Sequence, residues 1–180
     1  MSTTTTNDQM IQRLTDESSI RDLVARFANA CSPPDPSAFA KLWMPDDLST
    51  DGKTATWGCT EPFEVSVTGV SSIVALFEKL IEPWDFFVQL VHSGVVEIDY
   101  DSTTGTGATG RFIMREVAKG PNETYYNNFA IYEDQYTKIN GKWYFASRHY
   151  KYMFLDSGSF GGNICPPVVK EGWYSNTKKT

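Results

Sequence analysis

One histidine lies inside a run of alternating apolar residues, FVQLVHSGVVEID at positions 87–99. His92 is one of two histidines in the chain, and an imidazole titrates near neutral pH, which suits it to accept a proton from carbon. The alternative interpretation is a core histidine whose ring nitrogens have a backbone or hydroxyl partner. Strict alternation would place Leu90, Gly94 and Val96 on the face that carries His92.

Three later strand-like runs each offer a set of side chains that can face the same interior. Alternate residues of a strand face opposite sides of the sheet. On the first of these runs one alternating set is the more apolar, so we predict that it faces inward, and this set ends in a carboxylate. On the other two, composition alone leaves the parity open. The candidate inward sets are Phe112, Met114 and Glu116; Asn128, Ala130 and Tyr132; and Ala146, Arg148, Tyr150 and Tyr152.

An arginine and a tyrosine in these sets suit the stabilisation of negative charge. The guanidinium of Arg148 can bind a carboxylate, a phenolate or a departing anion inside a cavity. Alternatively, Arg148 forms an ion pair with Glu133 or Asp134 on the outer face of the sheet. Tyr132 can polarise a carbonyl by donating its hydroxyl, or it is a core or interface residue.

Two carboxylates are candidates for acid–base chemistry, and each also has a structural interpretation. Asp35 stands before Pro-Ser-Ala-Phe, where it can cap a short helix, orient an imidazole, or do both. Glu116 can face the interior or pair with Arg115 or Lys119 near a strand end.

The elements that must position these residues fall into two groups, helices first and strands afterwards. Residues 20–31 carry a helical apolar stripe that Pro33-Pro34 stops, a short helix is predicted over about 36–43, and a third helix runs from Gly69 to Pro83. Weakly alternating residues 50–68 predict one or two short strands. Four longer strands are predicted at about 85–100, 107–119, 125–139 and 142–155, the last two joined by the hairpin signal Asn140-Gly141.

This segregation of helices and strands predicts an α+β fold. We expect a strongly curved antiparallel sheet, with three N-terminal helices over its concave face and a cone-shaped cavity between them. Residues 1–9 are predicted to be disordered, residues 10–155 to form the domain, and residues 156–180 to form a tail that can cover the pocket.

The composition excludes several classes of function. A formal charge of −6 and a pI of about 4.9 argue against binding to nucleic acid or to an anionic membrane. Three widely spaced cysteines form no CxxC or His/Cys cluster, so neither a metal site nor a disulfide scaffold is indicated.

The polar start MSTTTTNDQM predicts a cytoplasmic protein. Aromatic residues make up 14% of the chain and either line a cavity or fill the core.

Three segments resemble the SnoaL-like branch of the NTF2-like superfamily. They are IRDLVARFANACSPPDPSAFAKLWMPDD, VTGVSSIVALFEKL and the hairpin YEDQYTKINGKWYFASRHY. The resemblance implies a cone-shaped α+β barrel with the active site inside. The family resembled includes cofactor-free lyases, among them scytalone dehydratase, bile-acid 7α-dehydratase and a dehydrochlorinase, and the resemblance therefore implies that no cofactor is needed. The same fold also hosts non-catalytic proteins.

The resemblance also implies roles for individual residues. His92 matches the general base of those lyases, and Arg148 matches an arginine that stabilises the leaving group in some relatives. Glu116 falls near a carboxylate of some dehydratases. The aspartate that partners the histidine in the family falls on Ser32, so either Ser32 or Asp35, beyond the two prolines, is expected to assist His92.

Taken together, these features predict a cofactor-independent lyase or isomerase that acts on a small polycyclic or aromatic metabolite. His92 would abstract a proton from carbon, while Tyr132 and Arg148 would stabilise the developing oxyanion or the leaving group. A homodimer or homotrimer is expected. One alternative is a cyclase or rearrangement catalyst that relies on Arg148 and Glu116, and another is a non-catalytic binding or assembly subunit. The predicted substrate contacts are Ser32, Phe112, Met114, Glu116, Asn128, Tyr150 and Tyr152.

Overall fold

The computed structural model describes residues 6–48, 52–60, 62–100 and 107–158, which form three α-helices and six strands. The helices are α1 (Asn7–Ala30), α2 (Pro36–Ala40) and α3 (Val70–Ile81), with a 3-10 turn at Asp46–Leu48. The strands are β1 (Thr56–Cys59), β2 (Val65–Thr68), β3 (Phe86–Asp99), β4 (Gly107–Lys119), β5 (Tyr125–Ile139) and β6 (Lys142–Asp156). In this part of the chain no helix is long and apolar enough to cross a membrane.

The strands form one open sheet in the order β2-β1-β6-β5-β4-β3. All neighbours are antiparallel except β1 and β6, which run parallel. The α+β class is thereby confirmed, and the expectation of a wholly antiparallel sheet is corrected at this one pair. Parallel pairing requires a long connection, and here α3 and strands β2 to β5 lie between the two strands along the chain.

Helix α1 starts earlier than its sequence suggests. Thr6 caps it, because the Thr6 hydroxyl accepts from the backbone N–H of Gln9 while the Gln9 side chain accepts from the backbone of Thr6. Residues 7–9, expected to be disordered, therefore begin the helix. Its buried face, which includes Ile20, Val24 and Phe27, packs against the sheet.

A β-bulge in the middle of β3 changes which residues face the helices, from odd-numbered positions before it to even-numbered positions after it. Val91 pairs with Met114 and Gly94 with Phe112, so β3 carries one residue more than β4 between these two pairs. The close approach at Gly94 depends on glycine, because a Cβ there would lie 2.2 Å from the ring of Phe112. Odd-numbered residues up to Val91 and even-numbered residues from Gly94 onwards therefore face the helices.

Aromatic rings fill the space between the helices and the sheet. Phe39 on α2 stacks on Phe77 of α3 with ring centroids 4.1 Å apart. Phe27 on α1 lies within 6.1 Å of five other rings, so it stands at the centre of the cluster. The sequence left open whether the aromatic surplus lines a cavity or fills the core, and a large part of it fills the core. The most deeply buried of these rings belong to Phe27, Phe39, Trp43, Phe77, Tyr132 and Phe145.

A buried carboxylate ties α1 to the hairpin between β5 and β6. Asp16 is 2% exposed and accepts hydrogen bonds from Lys138 Nζ (2.6 Å) and from the indole N–H of Trp143 (2.9 Å). Gln12 Nε2 and the Tyr100 hydroxyl donate to its other oxygen. Burial alone would raise the pKa of Asp16, but these donors outweigh burial and lower it.

We expect Asp16→Asn to lower the free energy of unfolding at pH 7 by about 2–4 kcal/mol, because it removes the charge that Lys138 and Trp143 satisfy. The loss should shrink as the pH falls through the lowered pKa of Asp16, below its ordinary value of 3.8. Urea unfolding at several pH values measures both effects.

The matched control is Asp22→Asn on the same helix. Asp22 pairs with Arg26, and both side chains are more than half exposed, so a change within about 0.5 kcal/mol is expected. Equal losses for the two variants would contradict a special role for Asp16.

Candidate functional site

Three polar side chains form a row across the inner face of the sheet. The register pairs Gln89 on β3 with Glu116 on β4, and Glu116 with Asn128 on β5. Paired residues on neighbouring strands place their side chains on the same face. All three are buried, with 5%, 8% and 0% of their surface exposed. A carboxyl group thus lies between two carboxamides among aromatic residues.

Neutral groups supply the hydrogen bonds that Glu116 accepts. Gln89 Nε2 lies 2.5 Å from one carboxylate oxygen, and the hydroxyls of Tyr150 (2.8 Å) and Tyr126 (3.2 Å) donate to the other. Asn128 Nδ2 in turn donates to both tyrosine oxygens, at 2.7 Å each. No Lys or Arg contact with Glu116 occurs among the described residues. The carboxylate is therefore stabilised by dipoles alone.

Burial raises the pKa of Glu116 above its ordinary value, and the four hydrogen-bonding neighbours reverse this only in part. Burial and the nearby Glu116 also raise the pKa values of Tyr126 and Tyr150, and burial raises that of Tyr152 to about 12. The three hydroxyls therefore remain protonated at neutral pH and can donate hydrogen bonds. A carboxyl group with a raised pKa beside protonated phenols is suited to proton transfer.

Two acceptor atoms of this row lack a hydrogen-bond partner within the described ranges. They are the side-chain carbonyl oxygens of Gln89 and Asn128. Buried polar atoms in proteins are rarely left unpaired, so each such atom calls for an explanation.

Half-buried aromatic side chains border the cluster on its more open side. Tyr126 and Tyr152 are partly exposed, and their hydroxyl oxygens lie 3.4 Å apart. Trp84 packs beside Tyr126 and the exposed Phe63 beside Tyr152, with centroid distances of 5.7 and 5.8 Å. A planar molecule can contact these rings while a polar group of that molecule reaches towards Glu116.

Arg148 also lies in the interior, but it pairs with Asp134 rather than with Glu116. Its Nε and Nη2 atoms donate to the two oxygens of Asp134 at 2.8 and 3.1 Å, and both side chains are fully buried. The Tyr136 hydroxyl completes the Asp134 shell at 2.7 Å. Asp134 raises the pKa of Arg148 even though burial alone would lower it. The sequence left open whether Arg148 faces the interior or forms an ion pair on the outer face of the sheet. Arg148 faces the interior, and its ion pair with Asp134 also lies there.

Aromatic faces surround the Arg148 guanidinium. Its central carbon lies 3.8 Å from the ring centroid of Tyr132, 4.1 Å from that of Phe27 and 4.2 Å from that of Phe145. Tyr132 is itself buried, with 2% of its surface exposed, and burial raises the pKa of its hydroxyl. Arg148 and Tyr132 are thus parts of a packed charge-bearing core.

His92 lies on the opposite face of the sheet. Its exposed ring stacks on Phe129 at a centroid distance of 5.9 Å, and Arg115 contacts the same Phe129 ring. The expectation that His92 faces the cavity is therefore corrected, and the bulge in β3 is the cause. Odd-numbered positions face inward before the bulge, which buries Gln89 in place of His92.

Asp35 and Ser32 also occupy positions that differ from the expected dyad. Asp35 caps α2 by accepting from the backbone N–H of Ala38 at 2.9 Å, on the helix side of the sheet and away from His92. Ser32, the position where the resemblance implies an aspartate, accepts from the backbone N–H of Gln89 at 2.9 Å. At the place implied for a histidine–aspartate pair the chain therefore brings together Gln89 and Ser32.

The remaining predicted contacts face the interior. Phe112, Met114 and Tyr150 are at most 5% exposed, and Tyr152 is half-buried. Phe112 and Met114 pack in the core, whereas Tyr150 and Tyr152 border Glu116. The sequence analysis did not identify Gln89 and Tyr126 as site residues. The alternation of residue types does not reveal the bulge that turns Gln89 inward, and Tyr126 lies at the start of its strand.

Two concave surfaces flank α1. One, of about 950 Å³, includes Asp35 and the β5–β6 turn and lies apart from Glu116. The other, of about 600 Å³, reaches Ser32 and Gln89 and thus adjoins one end of the polar row. Among the described residues no group of three His, Cys, Asp or Glu side chains could hold a metal ion.

Comparisons with known proteins agree with this architecture. The sequence profile of the SnoaL-like domain matches residues 12–149. A type 2 hexachlorocyclohexane dehydrochlorinase has a similar structure, with a TM-score of 0.69 at 15% identity, over 88% of this chain and 99% of the other. A protein from Novosphingobium aromaticivorans, provisionally named a scytalone dehydratase, gives 0.67 at 14% identity over 89% and 99%. Comparison with curated protein sequences gives no match.

We expect Arg148→Met to lower the free energy of unfolding by about 3–5 kcal/mol, because it leaves the buried Asp134 carboxylate without its cation. The double variant Arg148→Met/Asp134→Leu should recover most of this loss, as urea unfolding can measure. The exposed pair of Lys151 and Glu133 provides the control, and Lys151→Met should cost less than about 1 kcal/mol. A stable Arg148→Met protein would argue against the structural role.

Proposed function

The chain belongs to the SnoaL-like domain family, and we propose that it is a proton-transferring lyase or isomerase whose acid–base group is Glu116. The observation that carries this proposal is the buried Glu116 carboxyl, which has a raised pKa and contacts only neutral donors. A base of this kind accepts a proton from carbon more readily than an exposed carboxylate does. His92, exposed on the other face of the sheet, lacks access to this interior.

The surrounding groups suggest how the reaction proceeds. The Glu116 carboxylate takes a proton from a carbon next to a carbonyl, and the electron pair of that C–H bond moves into an enolate. Tyr152 donates its hydroxyl to the enolate oxygen, because its pKa of about 12 keeps it protonated. The Glu116 carboxylic acid then returns the proton to another carbon, which isomerises the substrate. Alternatively, the electron pair of the enolate forms a C=C bond and expels a leaving group from the adjacent carbon, and the proton on Glu116 passes to that group or to solvent, which completes an elimination.

Stabilisation by fixed dipoles is what the network around Glu116 adds. Asn128 holds the hydroxyls of Tyr126 and Tyr150 in place, and these hydroxyls and Gln89 hold the carboxylate. These groups keep the ionised carboxylate oriented without water, while burial keeps the pKa of Glu116 raised despite their hydrogen bonds. General base catalysis contributes about 10²- to 10⁴-fold in rate.

A second candidate is a non-catalytic ligand-binding subunit of the same family. The pair Gln89 and Ser32 favours it, because neither side chain is an acid or a base at neutral pH. Ligand binding without Glu116-dependent proton transfer would select this candidate.

Glu116→Gln should reduce proton exchange from carbon by at least about 100-fold. The exchange can be followed by NMR as deuterium incorporation next to the carbonyl of 2-tetralone in D₂O. His92→Ala is the matched control and should retain the wild-type rate, since His92 lies outside the cluster. The opposite pattern, with loss in His92→Ala alone, would refute the assignment to Glu116.

The Glu116→Gln protein is expected to be at least as stable as the wild type at pH 7. Burial raises the folded-state pKa of Glu116, so its ionisation reduces stability once the pH exceeds the value of the unfolded chain. A neutral side chain of equal size avoids this cost. Urea unfolding thus distinguishes loss of the base from loss of the fold.

The exchange rate of the wild-type protein should rise with pH through a midpoint above 4.5, the ordinary pKa of a glutamate, because only the ionised form accepts a proton. Measurements of kcat/KM from pH 4 to pH 8 locate the midpoint. A midpoint below the ordinary value would show that burial does not control the base.

A further inference from the structure

The unpaired carbonyl oxygens of Gln89 and Asn128 carry an inference about what this site binds. Each belongs to a side chain at least nine-tenths buried. Each is covalently attached to the carbon that bears an amide nitrogen already engaged in the Glu116 network. The two side chains therefore flank Glu116, one on each side of it along the row.

The hydrogen-bond network fixes which way both carboxamides point. An ionised carboxylate only accepts, so the hydroxyls of Tyr126 and Tyr150 must donate to Glu116. Their oxygens can then only accept from Asn128, which turns its nitrogen towards them and its oxygen away. In the same way Gln89 must turn its nitrogen to Glu116. With Glu116 ionised, the hydrogen-bond network itself thus leaves these two acceptors over.

We propose that the site recognises a neutral cyclic compound bearing hydroxyl groups, which donate to the carbonyl oxygens of Gln89 and Asn128. This inference names the substrate class of the proposed lyase or isomerase and rests on that function. A hydroxyl supplies the hydrogen that each unpaired oxygen needs. A carboxylate or phosphate would bring only acceptors, and the negative charge of Glu116 would repel it.

The surroundings of the row favour a neutral ring over an anion. Asp134 compensates the charge of Arg148 by accepting from its Nε and Nη2 atoms, and three aromatic rings cover the guanidinium. The rings of Trp84, Tyr126 and Tyr152 border the cluster and suit contact with a cyclic molecule. The concave surface lined in part by Ser32 and Gln89 adjoins one end of the row.

The test uses a series of three probes of one shape that differ in the number of donors. Resorcinol has two hydroxyls, 3-methoxyphenol has one, and 1,3-dimethoxybenzene has none. Ligand-observed NMR titration of the full chain at pH 7 should show affinity falling about two- to tenfold for each donor removed. Benzoate should bind more weakly than phenol. Equal affinities across the series, or tighter binding of benzoate, would overturn the proposal.

Two variants locate the effect. Gln89→Met and Asn128→Leu each remove one acceptor. In each variant, one of the two drops in affinity along the probe series should disappear. Their controls are Gln135→Met and Asn127→Leu, which make the same changes on the outer face of β5, and these should preserve both steps. A series that remains graded in both inner variants would overturn the assignment to these oxygens. The wild-type series decides the proposal even if an inner variant does not fold.

The two proposals fail in distinguishable ways. A flat binding series together with Glu116-dependent deuterium exchange would overturn the hydroxyl recognition and leave the lyase or isomerase function standing. A graded series that depends on Gln89 and Asn128, without exchange from carbon, would support the recognition and refute the proposed reaction.

Discussion

Two buried carboxylates face the interior of this sheet, and they are stabilised in opposite ways. Asp134 has a cation, Arg148, that contacts both of its oxygens. Glu116 has amide and phenol donors but no cation among the described residues. Burial raises the pKa values of both carboxyl groups. Because only Asp134 has a buried cation as partner, we assign Asp134 to the fold and Glu116 to the proposed proton transfer.

The bulge in β3 determines which residues meet Glu116. It removes His92 from the interior and places Gln89 opposite the carboxylate. A neutral carboxamide at this position supplies a hydrogen bond, whereas an imidazole would have supplied a second titrating group. In the proposed reaction the site therefore has Glu116 as its single acid–base residue, and one extra residue in β3 decides which side chain lies beside it.

Much of the architecture follows from the sequence, because periodicity and turn chemistry are local. The four long strands lie within about two residues of the predicted ranges, and Asn140 and Gly141 adopt the positive φ angles that their hairpin requires. The inward parity of Phe112, Met114 and Glu116 is confirmed. The face of His92 could not be predicted in this way, since a bulge leaves the alternation of residue types intact on both sides. Asp134 was one of the two partners expected for Arg148, but the face of the sheet on which they meet depended on a strand parity that composition does not specify.

The departure at Ser32 and the burial of Gln89 are parts of one rearrangement. Ser32 contacts the backbone of Gln89, so a charged aspartate at this point would find no imidazole to stabilise. Both side chains of this pair are neutral, so on the inner face of the sheet the negative charge lies on Glu116 and on the compensated Asp134, while α1 contributes the buried Asp16. Because His92 lies on the opposite face of the sheet and the pKa of Glu116 is raised, the acid–base role in the proposed reaction falls on Glu116 of the neighbouring strand.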